Sequence, residues 1–290
     1  MRKRSAARNL RNLVVKIGTS VLTKDGRFDK GMIAKLASEC APLIKRGVRV
    51  SIVSSGAIGA GMTILKEKER PKSMEGLQAA AAVGQRYLMQ CYEEAFSRRG
   101  VSTAQVLLTW DDMANPKRFM NAKRTLREIQ RRGLVPIINE NDTVATDEIR
   151  FGDNDRLSSL LSILIEADGL IILSNTDGLY QQGTTQRISR VEKMGRSVFA
   201  HVKDSKTKFT VGGMRSKLEA VEMASGSGIP VYLADGRKKD IIRGLLSGAD
   251  LGTFFVPVSK SGKARRDWIY DFMDHVYFRS RANQAARGRS

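Results

Sequence analysis

In 290 residues the sequence holds only two cysteines, two histidines and six prolines, and each shortage excludes a class of protein. Cys40 and Cys91 lie in polar, helical-looking surroundings with no second Cys or His at ligand spacing, so neither a disulfide framework nor a zinc site is expected. His201 and His275 fall outside every polar cluster of the chain, so no histidine-based proton transfer is expected. No run of about 18 apolar residues occurs, which argues against a membrane span. The 26 glycines are not periodic and no long Ser/Gln tract is present, which removes collagenous and low-complexity classes. The basic start, Met1-Arg-Lys-Arg-Ser-Ala-Ala-Arg8, has no apolar stretch behind it and is no secretory signal, so a reducing cytoplasm is the expected compartment. Gly-x-x-x-x-Gly-Lys-Ser/Thr and Gly-x-Gly-x-x-Gly are both missing, which weakens P-loop and dinucleotide readings.

What is present is a core-forming composition, 41% hydrophobic, with a formal net charge of +20. Such a balance attracts polyanions. The two ends carry eleven of these charges: +6 over residues 1–16 and +5 over 258–290. The interior reads as an ordinary basic surface, because no basic motif interleaved with aromatics is present and a nucleic-acid footprint is therefore disfavoured.

Strand and helix signals alternate. Strands are predicted at Asn12 to Gly18, Val48 to Ser54, Thr103 to Leu107, Val135 to Asn139, Gly169 to Leu173, Pro230 to Leu233 and Thr253 to Val256. Helices are predicted at Gly31 to Lys45, Met74 to Phe96, Asn121 to Arg131 and Met214 to Ser225. Another is predicted after Asp153-Asn-Asp155, where Leu157, Leu160, Leu161 and Leu164 recur at helical spacing. Ile149 to Phe151 reads as one arm of a hairpin. The pattern is α/β with a mainly parallel sheet covered on both faces and ligands at the carboxyl ends of its strands. No linker interrupts the first 268 residues, with two lobes meeting near residue 168; residues 269–290 are expected to be a disordered basic tail.

Five polar clusters fall at strand ends: Lys16-Ile-Gly-Thr-Ser20, Ser54-Ser-Gly-Ala-Ile-Gly-Ala-Gly61, Asn139-Glu-Asn-Asp-Thr143, Gly152-Asp-Asn-Asp155 and Gly212-Gly-Met-Arg-Ser-Lys217. A Gly-rich strand-to-helix turn offers unpaired N–H groups at the positive end of a helix dipole, suited to phosphate or carboxylate. Taken singly, each has a plainer explanation: Lys16 as a solvated strand end, Ser55 and Gly212 as turns, Asp153 or Asp155 as an N-cap. Taken together, anion-binding loops, two lysines and an acidic-amide cluster at one sheet edge suit phosphoryl transfer onto a small zwitterion.

These motifs, with Phe151-Gly-Asp-Asn-Asp-Arg-Leu-Ser158 and Asp177-Gly-Leu-Tyr180, resemble those of the glutamate 5-kinases, a branch of the amino-acid kinase superfamily, from about Leu13 to Ile269. The resemblance implies a three-layer α/β/α sandwich and one kinase domain over 1–268, with the glutamate site in its N-terminal part and the nucleotide site in its C-terminal part. It implies phosphorylation of the glutamate side chain by ATP and Mg²⁺ as the first step of proline biosynthesis, inhibition by proline and a homo-oligomer; because the acyl phosphate product is labile, hand-over to a reductase partner is expected. Carried over by motif, Lys16 and Lys217 would contact the transferring phosphate and Asp155 would orient them. Ser55, Asp142 and Asn154 would hold glutamate. Ser174, Asn175, Val211, Gly212, Gly213, Met214, Arg215, Ser216 and Lys217, together with Lys16, would line the nucleotide site, and no residue is assigned to a protein-held metal. The chain departs from the family at Asn175, where Asp is usual, at Val211, where Gly or Thr is usual, and over Gln181 to Thr210; a tail stands where many relatives carry an RNA-binding-type domain.

A carboxylate with pKa near 4.3 is already an anion at neutral pH and needs no general base, which accords with the lack of a candidate catalytic histidine. The alternatives are a kinase of the same fold acting on another small acid and a nucleic-acid-binding protein on a kinase scaffold. Lys16 and Lys217 are expected at a polar surface.

Overall fold

The computed structural model describes residues 10–144, 154–202 and 213–258. The expectations at Ile149 to Phe151, at Asp153, at Val211 and Gly212, and for the 269–290 tail lie outside them.

In chain order the strands are β1 (Asn12–Ile17), β2 (Thr23–Lys24), β3 (Arg27–Phe28), β4 (Arg49–Ser54), β5 (Thr103–Leu108), β6 (Val135–Glu140), β7 (Gly169–Ser174), β8 (Leu179–Tyr180), β9 (Arg187–Ile188), β10 (Arg190–Val191), β11 (Val231–Asp235) and β12 (Gly252–Phe255). The helices are α1 (Lys30–Lys45), α2 (Ala57–Leu65), α3 (Met74–Ser97), α4 (Trp110–Ala114), α5 (Pro116–Arg131), α6 (Asn154–Leu164), α7 (Arg196–Phe199), α8 (Met214–Gly226) and α9 (Ile241–Ser247). Eight strands form one sheet in the order β10-β12-β11-β7-β1-β4-β6-β5. Every pairing is parallel except β11 with β12, and β2–β3 and β8–β9 are small separate hairpins.

The central strands are apolar on both sides because helices cover both. In β1, Leu13, Val15 and Ile17 face a layer built on α1, α3 and α9, where Ile33, Leu36, Leu88, Tyr92 and Phe96 pack. Val14 faces the opposite layer, where Leu157, Leu160 and Leu161 of α6 meet Leu218 and Val221 of α8. The two-residue period of a strand therefore turns Lys16 toward α6 and α8 and turns Ser54 and Asn139, in step with Ile52 and Ile137, toward α3. Parallel register aligns the strand ends, with Ile17 beside both Ser54 and Leu173, and Ser174 beside Asp235.

The predicted elements are found with small shifts at their ends, and two differences have local causes. Helix α5 starts at Pro116 rather than near Asn121, because the Asn115 side chain caps the N–H groups of Lys117 and Arg118 and proline suits the first helical turn. Cys40 and Cys91 sit in the α1/α3 layer and are buried, not placed in the polar surroundings their neighbours suggested.

Helices α2 and α3 meet backbone to backbone. A Cβ added at Gly84 would lie 1.8 Å from the Ala57 carbonyl oxygen, and one added at Gly61 would lie 1.8 Å from that of Ala80. No side chain fits at either crossing, so this contact fixes the height of α3 over the strand ends. Gly84→Ala is expected to destabilise the fold by at least about 1–3 kcal/mol through overpacking. Gly59→Ala, in the same pair of helices but with open space around the new methyl, should be neutral or raise the melting temperature. Thermal unfolding of the two variants side by side checks this, and equal melting temperatures would remove the close-approach constraint.

Candidate active site

Lys16 near the end of β1, Asp155 in the first turn of α6 and Lys217 in the first turn of α8 form one buried charge cluster. The Lys16 Nζ donates to Asp155 Oδ1 at 2.5 Å and the Lys217 Nζ donates to Oδ2 at 3.1 Å. Ser216 Oγ lies 3.4 Å from the same Oδ2 and donates to the Gly213 carbonyl at 2.9 Å. Asp155 is fully enclosed and the lysines are 3% and 6% exposed, so both are core residues and not the polar-surface residues the sequence suggested. Asp155 lies within the helix, engaged by lysine side chains, and is no simple N-cap. Burial alone would push its carboxyl up, but the Lys16 and Lys217 ammonium groups overcome it and hold the group below the ordinary carboxylate value. Two ammonium groups against one carboxylate leave this trio with a net positive charge.

Around it lie the neighbouring strand ends. A Cβ at Gly18 would stand 3.4 Å from Lys16 Nζ, so glycine keeps the approach to that ammonium narrow but open. Helix α8 begins at Met214 with Gly213 as its N-cap, a cap that makes no side-chain hydrogen bond, and the positive end of its dipole lies at this edge. Ser174 ends β7 and is buried, with Asn175 next to it; the Arg237 guanidinium donates to the Asn175 carbonyl at 2.7 Å and to the Asp235 carboxylate at 3.0 Å.

On the α3 side, Asn154 Nδ2 donates to the Ser54 carbonyl at 3.3 Å, to Ser55 Oγ at 3.0 Å and to Asn139 Oδ1 at 2.9 Å. Asn139 Nδ2 then donates to Gln85 Oε1 at 2.9 Å. Tyr92 O–H donates to Ser54 Oγ at 2.9 Å, which fixes the strand end from below. Asp142 lies half-buried in a single turn of 3₁₀ helix after β6. Burial pushes its carboxyl up to about 7, the Glu140 carboxylate adds to this, and Arg70 draws it back.

Of the sequence-predicted residues, Lys16, Asp155, Ser216 and Lys217 are in direct contact, and so are Ser55 and Asn154, whereas Asp142, Ser174, Asn175, Met214 and Arg215 are not joined to either group by these hydrogen bonds. Val211 and Gly212 lie outside the described residues. Asn139 and Gln85 were not singled out as site residues; Asn139 was signalled by its place in the Asn-Glu-Asn-Asp run, whereas Gln85 lay inside the predicted helix Met74 to Phe96, away from every polar cluster.

Asp155 should show its role in the pH dependence of stability. Asp155→Asn leaves two ammonium groups without their buried counter-charge, a change that costs about 3–5 kcal/mol. Because the folded-state value is depressed, the stabilisation is present above the ordinary carboxylate value and lost as pH falls below it. The melting-temperature gap between wild type and Asp155→Asn should hold over roughly pH 5 to 8 and close below about pH 4. A gap that persists undiminished into strong acid contradicts the pairing.

Comparison with known proteins agrees with this architecture. Residues 11–235 match the model of the amino acid kinase family. The glutamate 5-kinase of Chromohalobacter salexigens is 43% identical over 271 residues, 92% of this chain and 72% of that protein. The glutamate 5-kinase of Saccharophagus degradans is 43% identical over 274 residues, 93% of this chain and 74% of its own length. Among solved structures, the UMP kinase of Bacillus anthracis superposes with a TM-score of 0.58 at 15% identity, covering 87% of this chain and 98% of that one, which speaks to the fold alone. On the family match and the extent of these identities, the chain belongs to the amino acid kinase family and, within it, to the glutamate 5-kinases.

Proposed function

We propose that the chain transfers the γ-phosphoryl group of ATP to the side-chain carboxylate of L-glutamate, giving γ-glutamyl phosphate. The observation that carries this reading is the buried Lys16–Asp155–Lys217 cluster, two ammonium groups held on one carboxylate, beside the hydrogen-bonded Ser55, Asn139 and Asn154 side chains at the same sheet edge.

The nucleophile is already ionised, so the barrier is the approach of an anion to a polyanion. Lys16 and Lys217, held from opposite sides by Asp155, would neutralise the charge that spreads over the transferring phosphoryl oxygens, and their burial strengthens that interaction. Since Asp155 fixes both before substrate arrives, little reorganisation is needed at the moment of transfer. The first-turn N–H groups of α8 would take phosphate oxygens, with Ser174, Asn175 and 211–217 as the nucleotide side. Among the described residues no three His, Cys, Asp or Glu side chains converge on a common point, and Asp155 is engaged by two ammonium groups. In this proposal magnesium is carried on the nucleotide's own phosphate oxygens.

Ser55, Asn154 and Asp142 would hold glutamate. Asp142, raised to about 7 without ligand, is suited to an ammonium group, which would draw its carboxyl back down and keep it ionised. Inhibition by proline and self-association, which rest on the resemblance to the family, and hand-over of the labile acyl phosphate to a reductase complete the proposal. Among the described residues no helix is long and apolar enough to cross a membrane.

Turnover with ATP across glutamate, aspartate, N-acetylglutamate and carbamate tests the assignment: glutamate should be the preferred acceptor, and preference for another acid would replace it. RNA binding without ATP turnover would favour the scaffold alternative. Asp142→Asn separates binding from folding. A raised carboxyl value weakens the free protein as pH rises toward about 7, so the substitution should raise the melting temperature at pH 8 and not at pH 4. The same variant should raise the glutamate KM by about tenfold or more and leave the ATP KM nearly unchanged. An unchanged glutamate KM refutes the substrate role.

A further inference from the structure

The side chains of Asn154, Asn139 and Gln85 form a one-way hydrogen-bond chain whose direction is set at one end. The Ser54 carbonyl can only accept, so the amide nitrogen of Asn154 must face it. That nitrogen also donates to Asn139 Oδ1 at 2.9 Å, which turns the Asn139 nitrogen toward Gln85 Oε1, again at 2.9 Å. Two groups are left over. The Gln85 Nε2 donor and the Asn154 Oδ1 acceptor are both enclosed, and among the described residues neither has a hydrogen-bond partner. Flipping any one amide would set like against like along the chain, so the leftover donor and acceptor are a consequence of the backbone and not of an arbitrary assignment.

A buried donor without a partner carries a desolvation penalty that a ligand removes by supplying an acceptor, and a buried acceptor asks for a donor. An α-amino acid carries both on one carbon, a carboxylate and an ammonium. Gln85 is also held firmly: its neighbour Gly84 is the point where α3 touches the α2 backbone, with the Ala57 carbonyl 1.8 Å from where a Cβ would be. A donor on so fixed a frame discriminates between ligands more sharply than one on a mobile loop.

We propose that Gln85 is a specificity-determining residue, its Nε2 donating to the α-carboxylate of the acceptor amino acid while Asn154 Oδ1 accepts from the ammonium. This rests on the glutamate reading above. The side-chain carboxylate must reach the phosphate beside Lys16 and Lys217, across the sheet from α3, which leaves the α-carboxylate for Gln85.

The experiment exchanges donor for acceptor on both partners. Wild type and Gln85→Glu are assayed with L-glutamate and with its α-carboxamide, L-isoglutamine, at saturating ATP. The wild type should prefer glutamate. In Gln85→Glu the glutamate KM should rise by about tenfold to a hundredfold, with little change in the ATP KM, and the isoglutamine-to-glutamate preference should move toward isoglutamine by about tenfold. A purely structural role predicts loss on both acceptors alike, and an unchanged preference overturns the proposal. Gln85→Met, similar in shape and without a donor, should raise the glutamate KM more than the isoglutamine KM, because the neutral amide oxygen of isoglutamine is the weaker acceptor. If neither variant folds, the Gln85 side-chain NH₂ resonances of the wild type should shift when glutamate alone is added, and resonances that stay in place refute the contact. A wild type that does not phosphorylate glutamate overturns the functional reading and this inference together. A glutamate-active wild type with unaltered preference in Gln85→Glu overturns this inference alone.

Discussion

One enclosed carboxylate between two enclosed ammonium groups sets the terms for the rest of the molecule. Asp155 is at 0% exposure and pairs with both Lys16 and Lys217, which are themselves buried. Each of the three comes from a different element, so β1, α6 and α8 must converge to within hydrogen-bonding distance. The convergence is secured by ordinary packing: Ser159 Oγ of α6 donates to the Ala220 carbonyl of α8 at 2.7 Å, and Leu160 and Leu161 join Leu218 and Val221 beneath. Charge is thus placed by an apolar frame, and the trio keeps a surplus positive charge where phosphate is proposed to bind.

The opposite face of the sheet supplies the complementary half. There the polar groups are mostly amides and hydroxyls, those of Asn154, Asn139, Gln85, Ser54, Ser55 and Tyr92, with the Asp142 carboxylate just after β6. Neutral groups suit a zwitterion that carries its own charges, and their directed hydrogen bonds read its shape. Residues 154 and 155 are adjacent in sequence, yet Asn154 belongs to the amide chain and Asp155 to the lysine cluster. The start of α6 is therefore the seam between the two halves, consistent with a phosphoryl group passing from one to the other.

Much of this was legible beforehand. The seven main strands were predicted from short apolar runs, several of them ending in polar clusters. Lys16, Ser55, Asp155 and Lys217 were visible through their Gly-rich or acidic motifs. What misled was local context. Lysine beside glycine looks exposed, and nothing in Lys16-Ile-Gly-Thr-Ser20 shows that a carboxylate 139 residues later encloses it. Cys40 and Cys91 looked polar because alternate helix faces mix with them in sequence, although their own face is the core. The short hairpins and α9 left too few residues for a period to register.

The sequence by itself determined the fold class, the order of elements and the residue types gathered at the strand ends, because hydrophobic period and glycine placement act over a few residues and need no partner. Only the tertiary structure decided which cluster touches which. The period of β1 turns Lys16 toward α6 while that of β6 turns Asn139 toward α3, and the parallel register sets Ser54 beside Ile17 at the same edge. It also decided that Gln85 meets Asn139, since that depends on how deeply α3 settles onto α2 at Gly61 and Gly84. Pairing between buried charges and amides acts across three or more elements at once, and its energy exists only after the core has brought them together.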